Sequence, residues 1–477
     1  MQISTVHLNT DTPALKAQPS TYVWVIALVA AMGGLLFGYD WVVIGGARQF
    51  YEAYFQLTSE QLIGWANSCA LVGCFLGSFA AGYAGERFGR RPVLLVSAIL
   101  FAISSVLTGW SYSFSAFIFW RIVGGTAIGL SSNISPLYIA ELSPASIRGR
   151  LVSLNQFAIV VGILLAQIAN WQIARPIPDH IGHAAFLLTW NVQDGWRWMF
   201  CAVVVPAVVF IVMSLFIPES PRWLLSKGLD ASAYKVLTRI GGLSYALSEV
   251  NNIKRALLLE PDSRSTWREL WLPGIRKIVF IGAALAVLQQ WTGINILFNY
   301  AAEVYRSAGY GQNDIFINIV ITGAINLVFT VIAMLIVDRV GRRPMMLFGC
   351  IGIGVSHLLS GVAYHEGWHG SAVLVLTLSA IACYALTLAP ITWVLISEIF
   401  PNRVRSQAVS LAVSALWVAS FVLTYTFPLI NRVLGSSGTF LGYGTICMVG
   451  AIFIFVFVPE TKGRTLEEIE AKVLASK

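Results

Sequence analysis

Asp40 interrupts the apolar run 24–46, within Gly38-Tyr39-Asp40, and Arg121 stands early in another apolar run, 115–138. A charge at the centre of a bilayer costs about 2.5–3.5 kcal/mol on insertion scales, so each calls for a partner or a task. Desolvation favours the neutral acid, whereas a nearby arginine favours the carboxylate. A helix movement that changed their separation would let Asp40 take a proton in one state and release it in another. That is the least that proton coupling requires. The other reading of the same two residues is a fixed structural ion pair.

A second set of residues suits neutral polyols. Gln156 and Gln167 lie eleven residues apart in the run 151–173, close to one helical face, and Ile163 shares that face. The run 276–300 carries Gln289, Gln290, Asn295, Asn299 and Tyr300; Asn326 lies in 315–337, Trp393 in 372–397 and Trp417 in 406–428. Amides offer donor and acceptor together, as vicinal hydroxyls require, and indole faces suit the C–H face of a sugar ring. Amides also serve as glue between membrane helices, which is the alternative for any one of them.

The elements that must position these groups follow from hydrophobicity. The chain has 477 residues, 57% hydrophobic and 11% charged, against roughly 25% charged in a soluble domain. Apolar runs long enough to cross a bilayer lie at 24–46, 61–84, 93–111, 115–138, 151–173, 197–217, 276–300, 315–337, 344–364, 372–397, 406–428 and 438–458. The net charge of +8 follows the membrane and does not point to nucleic acid. Of 31 Lys and Arg, only Arg48, Arg175, Arg197, Arg306 and Arg432 fall on the side opposite the basic loops. The basic loops, and with them both termini, are expected on the cytoplasmic side of a multi-pass cell (inner) membrane. Residues 1–20 carry Pro13 and Pro19 and no apolar core, so they do not read as a cleavable signal.

The loops contain a duplication. Glu86-Arg87-Phe88-Gly89-Arg90-Arg91-Pro92 returns as Asp338-Arg339-Val340-Gly341-Arg342-Arg343-Pro344; Glu141 with Arg148 returns as Glu398 with Arg405; Pro218-Glu219-Ser220 returns as Pro459-Glu460-Thr461. Three matches in one order predict two six-span halves in parallel orientation, 1–222 and 276–477. Between them, 223–275 is too polar to span, and Val250, Ile253 and Leu257 at helical spacing predict short amphipathic helices. Each repeated motif sets a carboxylate at a helix end, a glycine turn and then arginines. Glu86, Arg90, Arg91, Glu141, Arg148, Asp338, Arg342, Arg343, Glu398 and Arg405 are therefore expected to form a cytoplasmic gate of ion pairs that change as the halves rock. The plainer reading is topogenic charge.

Read together, Gly33 through Asp40, Arg121 with Gly125 and Gly129, Pro136 through Arg148, and Pro218 through Arg222 carry a resemblance across nearly the whole chain. So do Gln289-Gln290 with Gly293 and Asn295, Trp393 with Ser397 through Pro401, and Pro459 through Gly463. The sequence resembles the sugar porters of the major facilitator superfamily, most of all the bacterial proton-coupled xylose symporters. The resemblance implies an all-α membrane protein of twelve transmembrane helices with a central sugar site and alternating access. By motif, Asp40 takes the place of the proton-carrying aspartate and Arg121 that of its partner. Gln156, Gln289, Gln290, Asn295, Asn326 and Trp393 match sugar-contacting positions, and Phe37 and Trp417 match aromatic ones. Departures are Ile163 for a glutamine, Asn299 for a tyrosine, Leu416 for an amide, Ala389 for a glycine and Val203 for a membrane glutamate.

The expected function is proton-coupled symport of a neutral monosaccharide, working as a monomer in the lipid bilayer, with no cofactor and no nucleic-acid partner. An uncoupled facilitator, motivated by Ile163 and Val203, and a transporter-like sugar sensor are the rivals. No nucleophile–base set suggests an enzyme. His365-Glu366-Gly367-Trp368-His369 formally matches a zinc-protease pattern, but Gly367 and Gly370 argue against the helix that pattern needs, so no metal site is expected.

Overall fold

The computed structural model describes residues 21–178, 182–259, 267–272, 275–368, 370–400 and 404–460. Among them there are helices and connections but no strands. The first six crossings are α1 (Thr21–Tyr54), α2 (Glu60–Phe88), α3 (Arg90–Gly109), α4 (Phe114–Leu142), α5 (Arg148–Ile173) and α6 (Asn191–Ser214). A surface helix, α7 (Asp230–Leu259), follows. The second set comprises α8 (Ile275–Trp291), α9 (Ile294–Asn299), α10 (Ala301–Ser307), α11 (Gln312–Val340), α12 (Arg342–His365), α13 (Ser371–Leu386), α14 (Leu388–Ile399) and α15 (Arg405–Phe457).

Where a water-facing helix would carry charge, these carry exposed Leu28, Phe79, Phe119, Val205, Phe280, Leu335, Phe348 and Ile452. A belt of that kind is stable only against lipid. Within the N-terminal bundle α1 packs on α5, and α2 on α4, backbone to backbone. A side chain at Gly38 would collide with the carbonyl of Ile159, and one at Gly125 with that of Ala70. Small residues at such crossings let helices approach where lipid supplies no hydrophobic drive.

Several expected spans are realised differently. The runs 406–428 and 438–458 keep their place as two arms of α15, which is broken between them at Gly435 (φ 67°). Its 53 residues would extend about 80 Å if straight, against a hydrocarbon core of about 30 Å, so it crosses and returns. The run 276–300 is interrupted at Gly293 (φ 81°), which leaves α9 as a separate half-helix. The run 372–397 is interrupted at Thr387. The sixth crossing starts six residues before the expected 197, with a π-helical turn at Asn191–Gly195. There the Asn191 side chain donates to the Arg175 carbonyl (2.7 Å) and accepts its N–H (2.8 Å), tying the loop to the helix.

In the expected amphipathic segment, α7 is broken at Gly242 (φ 85°). Val250, Ile253 and Leu257 pack on Leu224, Leu225 and Ala233. The α12 helix ends at His365, ahead of Gly367 and Gly370, so the His365–Glu366 pair does not continue as a helix; His369 lies outside the described residues.

The chain thus has two faces. Helix ends at 88–90, 142–148 and 340–342 define the basic face; those at 54–60, 109–114 and 307–312 define the opposite one.

Candidate substrate and proton site

Asp40 and Arg121 come together. Each residue is 3% exposed, and Nη1 of Arg121 donates to both carboxylate oxygens, at 3.1 and 3.0 Å. The guanidinium also lies 5.4 Å from the Phe200 ring centre, a cation–π position. Its Nε has no partner. The pair therefore links α1 to α4 with one donor group.

The same α1 helix presents Phe37 and Trp41 to a central cavity of about 100 Å³. Gln156, Gln289, Gln290, Asn295, Asn326, Trp393 and Trp417 line it as well, together with Ile163, Ala389 and Leu416. Its floor is a triangle of rings, with Phe37, Trp41 and Trp417 at 6.0–6.2 Å from one another. Trp417 Nε1 donates to Ser78 Oγ at 3.3 Å, anchoring a C-terminal ring to the N-terminal bundle. Opposite the rings the amides form a chain: Asn295 donates to Gln290, Gln290 to Gln289 (2.7 Å), and Gln289 to the Tyr384 hydroxyl (3.0 Å). The break at Gly293 makes this possible, because it sets Asn295 on a new helix beside the end of α8. The freed Thr292 carbonyl accepts from His357 Nε2 at 2.9 Å.

Of the residues expected to meet substrate, Asn299 does not line the cavity, nor do Gln167 and Tyr300 of the wider polar set. Asn299 is 3% exposed, one residue past the lining Phe298, and its Oδ1 has no partner. Trp41 and Tyr384 line the cavity without having been singled out, since an aromatic inside an apolar run has nothing to mark it. Their signals, visible afterwards, are the i, i+4 relation of Trp41 to Phe37 and a hydroxyl within a span.

On the basic face, Arg90 Nη2 pairs with Glu141 at 2.9 Å within the N-terminal bundle. Arg91 donates to the carbonyls of Ser214 and Leu215, Arg148 to that of Ser143 (3.4 Å), and the Glu86 carbonyl accepts from Trp223. The side chains of Asp338, Glu398 and Arg405 lie outside the described residues. Two carboxylates noted only as part of the repeat hold matching posts. Glu219 accepts the backbone N–H of Arg90 (2.9 Å) and Arg91 (3.2 Å), and Glu460 those of Arg342 (3.1 Å) and Arg343 (3.2 Å). Each supplies an acceptor to the exposed N–H groups at a helix start. At Glu219 burial pushes the carboxyl up, opposed by those N–H bonds.

An ion pair across the bundles lies on the opposite face. Arg48 of α1 donates to Glu303 of α10 at 2.6 Å and to Glu52 at 2.5 Å. Asn431 donates to Glu303 at 2.7 Å, and the Tyr300 ring centre lies 4.3 Å from the guanidinium. Phe50 of α1, two residues from Arg48, stacks on Phe316 of α11 at 6.3 Å. This face is sealed.

A profile of the family "Sugar (and other) transporter" matches residues 26–473. The chain is 38% identical to the D-xylose-proton symporter of Escherichia coli, over 95% of this chain and 96% of that protein. To the arabinose-proton symporter of Bacillus subtilis it is 36% identical, over 98% and 99%. A partially occluded inward open structure of the xylose transporter XylE from E. coli superimposes with a TM-score of 0.83 at 36% identity, covering 94% of this chain and 100% of that one.

Proposed function

The chain belongs to the sugar transporter family, and from that premise we propose that it carries a neutral monosaccharide together with a proton, by alternating access of one central cavity. The observation that carries the proposal is the position of Asp40. Its carboxylate, bound by Arg121 of α4, sits on α1, the helix that also presents Phe37 and Trp41 to the cavity. Rearrangement of α1 around a sugar changes the Asp40–Arg121 contact, and with it the balance between carboxylate and neutral acid. Sugar and proton are thereby linked through one helix.

The amide chain Asn295–Gln290–Gln289–Tyr384, with Gln156 and Asn326, takes the sugar hydroxyls, and the Phe37, Trp41, Trp393 and Trp417 rings take its C–H faces. Asn299 joins them once the opposite face opens. The basic face is cytoplasmic, with both termini there, as the distribution of Arg and Lys supports. The halves 1–222 and 276–477 rock about the cavity, joined by 223–275. Glu86, Arg90, Arg91, Glu141, Arg148, Asp338, Arg342, Arg343, Glu398 and Arg405 form the inner gate. The names of the two relatives support a pentose as cargo, and the protein acts as a monomer.

The test is alkalinisation of the medium on addition of D-xylose to lightly buffered vesicles holding the protein. Coupling predicts sugar-driven proton entry that Asp40→Asn abolishes. Xylose uptake without proton entry, unchanged in that variant, would leave the uncoupled carrier as the correct reading. Val203, fully buried in apolar packing, is the observation that favours that second reading.

A further inference from the structure

Gln167 is 1% exposed, and neither its Nε2 nor its Oε1 has a hydrogen-bond partner. Buried amides are almost always satisfied, so an amide with both ends unmet calls for a cause. Its neighbours supply one. Gln156 and Ile163 share its face of α5 and line the central cavity. Since α5 runs from the basic face, Gln167 stands about 6 Å beyond Ile163 and about 16 Å beyond Gln156, on the sealed side. It is pressed against Gly323 of α11, where any side chain would collide with Oε1. Gly323 is itself only about 4.5 Å along the helix from the lining Asn326. The amide is thus closed in between the bundles, directly above the cavity, on the route a solute takes from the opposite face.

We propose that Gln167 is an outer sugar-binding station, used when the bundles part on that face. Its amide then donates to one ring hydroxyl and accepts from another. The station rests on the sugar-transport reading and adds to it a second, outer contact for the same class of ligand. The glycine at 323 leaves room for the amide to be stowed when the face closes. Asn299, with its own unmet Oδ1 one residue past the cavity wall, lies on the same side. A solute therefore meets polar groups before it reaches the central chain of amides.

The spacing suggests the probe. A disaccharide can set one ring in the cavity and the next at Gln167, whereas a monosaccharide in the cavity cannot reach it. The experiment measures inhibition of labelled D-xylose uptake by external xylobiose and by external unlabelled D-xylose, for wild type, Gln167→Met and Gln167→Asn. Methionine keeps the length and loses the amide; asparagine keeps the amide and loses the reach. Losing the amide's hydrogen bonds is expected to weaken xylobiose roughly tenfold or more and D-xylose less than twofold. The ratio matters because a mere shift between the two facing states scales both sugars alike.

An unchanged ratio in both variants, or a wild type that does not bind xylobiose although it transports xylose, overturns the station and leaves the transport reading intact. A wild type with no xylose uptake and no binding of either sugar overturns both. Should one variant not reach the membrane, the other supplies the ratio.

Discussion

One donor nitrogen of Arg121 serves both carboxylate oxygens of Asp40, at 3.0 and 3.1 Å, in a site where each side chain is 4% exposed. Such a pair is costly to break from one side only, because the remaining charge stays buried.

Arg121→Leu is therefore expected to destabilise the protein by about 3–5 kcal/mol and to abolish concentrative uptake. Adding Asp40→Asn should recover most of the loss in stability without restoring coupling. Thermal unfolding of the detergent-solubilised protein, run beside uptake, checks this. A double variant no more stable than the single would contradict it.

Gln290 stands in the middle of the amide chain, donating to Gln289 and accepting from Asn295. Gln290→Ala cuts the chain on both sides and orphans its neighbours. The expected loss is about 1–3 kcal/mol in sugar affinity, hence roughly five- to 150-fold in Kd. Equilibrium binding of D-xylose measures it, and an affinity within twofold of wild type would remove Gln290 from the site.

The Arg48–Glu303 pair joins residues 255 apart in the chain. Glu303→Ala removes the acceptor for both Arg48 and Asn431 and should favour opening of that face. A cysteine placed at Ile319 should then react with an impermeant thiol reagent from outside several-fold faster than it does beside Glu303. Equal labelling rates would show that the pair does not act as a latch.

At the helix break, Gly293 adopts φ 81° with the Tyr443 ring against it, and His357 holds the Thr292 carbonyl. Gly293→Ala adds strain in a left-handed backbone and a clash. His357→Leu leaves the carbonyl only the weak Cys447 thiol donor at 3.8 Å, at a cost of about 1 kcal/mol. His357→Gln, which keeps a donor, should restore part of that. The thermal midpoints should rank wild type, His357→Gln, then His357→Leu; coincidence of the last two would refute the anchoring role.

How far these features can be read from the chain depends on contrast. Polar groups stand out in apolar runs, so Asp40, Arg121 and the amides of α5, α8 and α9 were visible at once, and most of them meet at the cavity or beside it. Trp41 and Tyr384 gave no such contrast. Asn299 lies apart in this arrangement: its type matches its neighbours, but the turn that follows Gly293 carries it past the cavity wall. The crossings were legible from hydrophobic length. The break at Gly435 falls between two of the expected runs, but the one at Thr387 was not legible, because it lies in a stretch whose composition is otherwise helical. In the sequence Arg48 is only one of the few cations off the basic side, and nothing marks Glu303; packing of α1 against α10 makes them a pair.

Glu460 has a practical consequence. Its carboxylate caps the first N–H groups of α12 from a position three residues beyond the end of α15, as its counterpart Glu219 does for α3. A truncation or a tag joined directly after Phe457 would strip the acceptor from one bundle and leave the other intact. Fusion partners for expression or imaging therefore belong beyond residue 460, with the Pro459-Glu460 dipeptide kept whole.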